Sequence, residues 1–180
     1  CDGDGKVFSM TYLETSFRTG CPELTTLPFF EDFESYDLKT TPACWTLTTN
    51  PLNSGTRISN PYNDEMGIGY KPYSGSRVVL IESSTTIDAL AALPTFDVDD
   101  IKNVVLSFQG LQMGSSDVLT VGVLSDVNDA STFTKVATIE LPLYGQWMKC
   151  TVPFESYTGT GKNIAFYMSK GSMVGNAFYI

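Results

Sequence analysis

From Arg77 onward the chain falls into short apolar, β-branched runs, each closed by glycine, proline, asparagine, aspartate or serine. This punctuation constrains the fold more than any other feature. Arg77 to Ile81 is one such run. Lys102 to Phe108 alternates, with Val104, Leu106 and Phe108 on one side. Asp117 to Leu124 turns Leu119, Val121 and Val123 the same way, and Lys135 to Leu141 does so with Ala137, Ile139 and Leu141. Gln146 to Phe154, Asn163 to Met168 and Ala177 to Ile180 complete the series, and the glycines of Tyr157-Thr158-Gly159-Thr160-Gly161 supply a tight connection. Asp88 to Leu93 reads either as one helical turn or as a strand edge before Pro94. A period of two marks strands with one buried face. Roughly eight of them, about ten to fifteen residues apart, predict an all-β fold: an antiparallel two-sheet β-sandwich of jelly-roll type.

Such a sandwich can carry many functions, and composition removes several. The sequence holds 20 acids against 11 basic residues, a net charge of −9, and no histidine. Histidine-based triads and imidazole zinc sites are therefore excluded. An acidic chain without a basic patch argues against nucleic acid as a partner and against attraction to anionic lipid. No apolar stretch reaches the length of a membrane span, so no membrane insertion is expected. Ser74-Gly75-Ser76 lacks the spacing of a nucleophile elbow. A pair of carboxylates working as a glycosidase is the one enzyme class left easily open, and nothing in the sequence sets two acids at the required separation.

The stretch Leu27 to Trp45 gathers five aromatic residues and four acids in nineteen positions. Read as an extended leading strand, it puts Phe29, Glu31, Phe33 and Ser35 on one side. Phe30, Asp32, Glu34 and Tyr36 then lie on the other. Asp32 and Glu34 would share a face, where neighbouring carboxylates repel, share a proton or hold a cation. Exposed acids on an edge strand are the plainer reading. Cys21 and Cys44 flank the stretch. A bridge between them would close a loop of about two dozen residues, worth roughly 3 kcal/mol, and needs an oxidising compartment. Cys150 shares a strand face with Met148, Val152 and Phe154 and reads as a buried free thiol.

Residues 50 to 72 read as a long loop with one short strand, and Tyr62, Asp64, Glu65 and Tyr70 are its candidates for a ligand surface. Aromatic residues pinning the loop to the core are the commoner case. Asp97-Val98-Asp99-Asp100 reads as a solvated turn, with a second cation site as the alternative. Trp45 and Trp147 each stand at the start of a strand. Sealing the core is favoured over stacking on sugar rings for both.

Residues 1 to 20 open with the turn signal Asp2-Gly3-Asp4-Gly5 and continue as one strand-like run. Ending in Phe17-Arg18-Thr19-Gly20-Cys21, they resemble the last strand of a fibronectin type III-like module of bacterial surface proteins. Cys1 then reads as a structural half-cystine rather than a lipid-bearing residue. Both ends of the chain look like cuts through a longer polypeptide.

Residues 22 to 180 resemble the choice-of-anchor J or cleaved-adhesin domains, jelly-roll modules similar to MAM domains and found in secreted and surface proteins of Bacteroidetes-type bacteria, gingipain adhesin regions among them. The residues that carry the likeness are Leu27-Pro28-Phe29, Glu31-Asp32-Phe33-Glu34, Pro42-Ala43-Cys44-Trp45, Tyr73-Ser74-Gly75-Ser76-Arg77, Leu93-Pro94-Thr95-Phe96-Asp97 and Asp117-Val118-Leu119-Thr120-Val121. Val105-Leu106-Ser107-Phe108, Trp147, Pro153-Phe154, Gly159, Ile164-Ala165-Phe166 and Phe178-Tyr179-Ile180 complete it. The resemblance implies a non-catalytic, extracellular or cell-surface module that contacts glycans or host and matrix proteins. It also implies a structural calcium ion on Glu34, with Asp32 beside it. The rival expectations are an ancillary domain of a secreted carbohydrate-active enzyme or protease, and a structural spacer.

Overall fold

The computed structural model describes residues 21, 25–47, 56–62, 69–114, 117–171 and 176–180. The reading of residues 1–20 as a fibronectin-like strand lies outside them, as do Asp64 and Glu65. The strands are β1 (Thr46–Leu47), β2 (Arg57–Ser59), β3 (Val78–Glu82), β4 (Ala89–Ala92), β5 (Val105–Gln112), β6 (Leu119–Leu124), β7 (Phe133–Ile139), β8 (Met148–Pro153), β9 (Asn163–Met168) and β10 (Ala177–Tyr179). They form two five-stranded sheets, ordered β1-β4-β9-β6-β7 and β2-β3-β10-β5-β8. Every strand pair in both sheets is antiparallel. The expected two-sheet sandwich is thus what forms, and Ala89–Ala92 resolves as strand rather than helical turn.

Alternation decides which side chains meet between the sheets. Ile164, Phe166 and Met168 from β9 and Leu119, Val121 and Val123 from β6 face Val79, Ile81, Val152 and Phe178 of the other sheet in one buried cluster. Phe166 lies at its centre, its ring 5.3 Å from Phe108 and 6.0 Å from Trp45. Both sheets also carry a small apolar cluster on their outer faces. Val78, Leu80, Leu111, Ala177 and Tyr179 are covered by Tyr70, Met113 and Trp147 on one sheet. Leu90, Ala92, Leu124 and Ala165 are covered by Val127, Phe133 and Tyr167 on the other. Burial on two faces explains why Val78 to Ile81 is apolar without interruption.

The pairing of β6 with β7 shifts between Val121 and Gly122, leaving Val136 as an extra residue. Such a bulge turns two successive side chains toward the same side. Val136 and Ala137 accordingly both pack on the core. Cys150 is buried and unpaired, as expected, and burial pushes its thiol pKa up to about 11. That keeps it protonated and unreactive at neutral pH.

Leu27 to Trp45 is not a strand. An isolated parallel bridge, Thr25 to Phe96, lies just before it, and the stretch itself runs as turns and irregular backbone until β1. Phe33, Lys39 and Cys44 all have positive φ, at 63°, 66° and 65°. An L-residue in that region reverses the chain and costs about 1–2 kcal/mol. At Phe33 the cost is offset by burying the ring edge-on against Trp45, at 6.0 Å. The stretch is fastened at both ends. Cys21 is bonded to Cys44 with the Cα atoms 5.2 Å apart. Lys39 N–H donates to the Ile58 carbonyl at 2.8 Å, and Ile58 N–H to the Thr40 carbonyl at 2.7 Å, which docks the stretch on the β2 edge.

Candidate functional site

The turn at Phe33 separates the two acids that an extended strand would have aligned. Asp32 folds back, its Oδ1 accepting the Glu34 N–H at 3.1 Å. Glu34 reaches 42 residues along the chain to the turn before β3. Its Oε1 accepts from the Ser76 and Arg77 N–H groups at 2.8 and 2.7 Å, and its Oε2 from Ser76 Oγ at 2.9 Å. Gly75 makes this possible. It holds φ at 58°, which tips the following N–H groups toward one point, and a Cβ there would collide with the Glu34 carboxylate. Arg77 closes the ring, its Nε donating to the Tyr36 carbonyl at 3.4 Å. The Ser76 and Arg77 donors and the Arg77 charge hold the Glu34 carboxyl below its ordinary pKa. Glu31, a third acid of the stretch, accepts from Phe33 N–H and Tyr36 OH, both at 2.9 Å.

Beside this clamp a groove of about 350 Å³ opens between the start of β3 and the first half of β5. Leu106, Phe108, Phe166 and Trp45 form its apolar floor. Its rim is aromatic and exposed: Phe30 is 86% accessible, Tyr73 59% and Phe29 36%. Trp147 stands edge-on to Tyr73 at 6.4 Å and donates Nε1–H to the Lys71 carbonyl at 2.6 Å. Gln109, Lys149, Arg77 and Asp32 bring neutral, cationic and anionic groups to the same rim. The arrangement offers flat rings next to hydrogen-bonding groups, the usual make-up of a binding surface.

The two tryptophans part company here. Trp45 seals the core as expected, 9% exposed and stacked on Phe166. Trp147 does not: it covers the outer cluster of the second sheet and lines the groove. A sheet apolar on both faces can bury a strand-leading tryptophan on either side, which alternation alone does not reveal. Tyr62 is exposed, and Tyr70 packs on the outer cluster, so the described part of the 50–72 loop gathers no ligand set. Asp97, Asp99 and Asp100 are exposed, and Asp100 caps a 3-10 turn through Lys102 N–H, in keeping with the solvated turn. Among the described residues, no three or more Asp, Glu, Cys or His converge as a metal cluster. Sequence reasoning missed Phe30, Tyr73, Gln109 and Lys149 as a set. The adjacent aromatics Phe29-Phe30 were the available signal, since both cannot face a core in one turn.

Neither a protein-family model nor a curated protein matches this chain. Solved structures do. The K2 cleaved adhesin domain of Lys-gingipain superposes with a TM-score of 0.59 at 15% identity, over 84% of this chain and 93% of that one. The K3 cleaved adhesin domain of Lys-gingipain from Porphyromonas gingivalis W83 does so with a TM-score of 0.50 at 16% identity, over 79% and 92%. The chain thus shares the fold that its sequence resemblance implied.

Proposed function

We propose that this chain is a non-catalytic binding or adhesion module that works outside the cell and presents the aromatic groove to glycans or extracellular proteins. The observation that carries the reading is the exposed pair Phe30 and Tyr73, with the half-buried Trp147, beside Gln109 and Lys149. Rings left in water at one end of a sandwich cost solvation free energy that a partner recovers. Three features support it further. The Cys21–Cys44 bridge suits an oxidising compartment. No helix among the described residues is long and apolar enough to cross a membrane. Glu34, the best-placed acid, is engaged by three donors as a structural tie, which leaves it a poor catalytic group.

Calcium on Glu34 with Asp32 belongs to the same proposal. Glu34 Oε2 accepts one hydrogen bond and keeps lone-pair capacity for an ion. Because no cluster of three acids forms among the described residues, an ion here draws most of its six to eight oxygens from carbonyls and water. The test is binding of the chain to a glycan array and to immobilised matrix proteins, with and without calcium. The expected result is saturable binding without hydrolysis, reduced at least tenfold by Tyr73→Ala or Phe30→Ala. Binding indifferent to both substitutions, or turnover abolished by replacing a single acid, overturns the reading. For calcium, the expected result is a melting temperature raised by the ion, reversed by chelator and unresponsive in Glu34→Gln.

A further inference from the structure

The outer face of the second sheet carries a surface of its own. Two segments build it: residues 69–73 ahead of β3, and residues 141–149, which run from the turn after β7 into β8. Trp147 and Lys149 are two residues apart, so both stand on the outward side, opposite the buried Cys150 and Val152. Tyr70 packs on the outer apolar cluster, and Trp147 is tied to the Lys71 carbonyl through its Nε1–H. Tyr73 meets Trp147 edge-on, and Tyr73, Leu143 and Tyr144 are all exposed. The turn that presents Leu143 and Tyr144 is fastened by the buried Gln112. Its Oε1 accepts from Leu141 N–H at 2.8 Å, its carbonyl from Gly145 N–H at 2.7 Å, and its Nε2 donates to the Gly114 carbonyl at 2.8 Å. Gly145 reverses the chain at φ 73°, and a Cβ there would stand 3.0 Å from the Tyr70 hydroxyl.

Charge sets this surface apart. The segments 69–73 and 141–149 hold two lysines, Lys71 and Lys149, and no acid, in a chain with 20 acids and 11 basic residues. Both lysines are exposed, and neither ammonium has an ion-pair partner among the described residues. Lys149 follows Trp147 by two residues and Lys71 is joined to it by the Nε1 bond, so both are anchored next to the indole. We propose that this surface binds an acidic glycan, one whose sugars bear carboxylate or sulfate groups. The proposal rests on the module reading above and names its ligand class. A sugar ring lays its C–H face on the Tyr73, Tyr144 and Trp147 rings, whose polar tips stay in water. The two ammonium groups supply the counter-charge. A neutral sugar leaves both lysines unused. A protein interface depletes lysine at its core, whereas two lysines flank the indole here. Glu31 and Asp32 line the neighbouring groove and repel the same ligand, which keeps it on the outer face. Because Gln112 holds the turn in place, little order is lost on binding.

The experiment is calorimetric titration of the 180-residue chain with hexasaccharides of hyaluronate, which carries carboxylates, and of chondroitin sulfate, which adds sulfates. The control is carboxyl-reduced hyaluronate, which keeps the rings and loses the charge. Saturable binding of an acidic hexasaccharide, about tenfold or more tighter than the control, is expected from two ion contacts. Binding of hyaluronate assigns the carboxylate as the recognised group, and binding of chondroitin sulfate alone assigns the sulfate. Lys71→Gln and Lys149→Gln should each weaken binding about threefold to fivefold, and less so at high salt. Tyr144→Ala should weaken it about fivefold or more. All three residues are exposed, so these variants keep the fold. No binding of either acidic hexasaccharide at millimolar concentration overturns the proposal, as does equal affinity for the carboxyl-reduced form. Binding lost in Phe30→Ala and untouched in Tyr144→Ala sinks this inference and leaves the module reading standing, because the ligand then sits in the groove.

Discussion

Replacing Glu34 by glutamine keeps the shape of the clamp and removes its charge. Three hydrogen bonds of 2.7 to 2.9 Å end on this carboxylate. A bond to a charged group contributes about 1.5–3 kcal/mol when buried, but Glu34 is exposed and water competes. About 0.5 kcal/mol per bond is the appropriate scale, and a glutamine amide in the same place retains part of it. The expected loss is about 1 kcal/mol for Glu34→Gln and about 1.5 kcal/mol for Glu34→Ala, a few degrees of melting temperature for a domain of this size. The pH dependence gives the sharper check. The folded-state pKa of Glu34 lies below the ordinary glutamate value, chiefly through the Ser76 N–H bond. The stabilisation is therefore complete above the ordinary value and is lost as pH falls through the lower folded pKa. Urea unfolding in chelator should show the full gap between wild type and Glu34→Gln near neutral pH and a much smaller one in strong acid, below the folded pKa. Gly75→Ala strains the same turn and displaces the same carboxylate, so its effect should add to that of Glu34→Gln only in part. A gap that is absent at neutral pH, that persists unchanged in acid, or that adds fully to Gly75→Ala would refute the clamp.

Reduction of the Cys21–Cys44 bridge, or Cys44→Ser, should lower unfolding free energy by roughly 3 kcal/mol, the loop-entropy value for a separation of this size; denaturant midpoints with and without reductant measure it, and a change under about 1 kcal/mol would contradict the tethering role given to the bridge. Phe166→Ala should cost about 3–5 kcal/mol, because the ring is 2% exposed and touches both Trp45 and Phe108 at the centre of the sandwich. A loss below about 1.5 kcal/mol in equilibrium unfolding would show that the two sheets are not packed as described.

What the sequence discloses, and what it withholds, follows from the range of the interactions. Asn163 to Met168 is legible to the residue, because its large aliphatic and aromatic core residues Ile164, Phe166 and Met168 alternate with Ala165 and Tyr167 of the outer face. Val105 to Gln112 is legible only in part. Its first half alternates, but Gly110 to Gln112 is buried throughout, and the strand therefore extends past the expected end at Phe108. The leading stretch reads wrongly as a strand because Phe33 at positive φ leaves no mark in residue type; glycine or asparagine would have announced that turn. Glu34 can be singled out as an acid in an unusual setting. Its partners cannot, since Ser76 and Arg77 lie 42 and 43 residues away and nothing local to either segment names the other.

The same end of the sandwich holds the clamp and the aromatic rim, and one cause unites them. By taking the Ser76 and Arg77 N–H groups, Glu34 ends the β3 edge at Val78 with a side chain where a strand would otherwise continue. The leading stretch is thereby pinned across the mouth of the sheet. There, Phe29 meets Phe96 at 5.7 Å while Phe30, the next residue, is left in water. On the far side, the inward side chains Leu106 and Phe108 of β5 are partly buried against the core. The clamp wall of the groove is thus chemically closed. A ligand seated here is directed toward β5 and the Tyr73–Trp147 pair rather than toward the acids of the leading stretch.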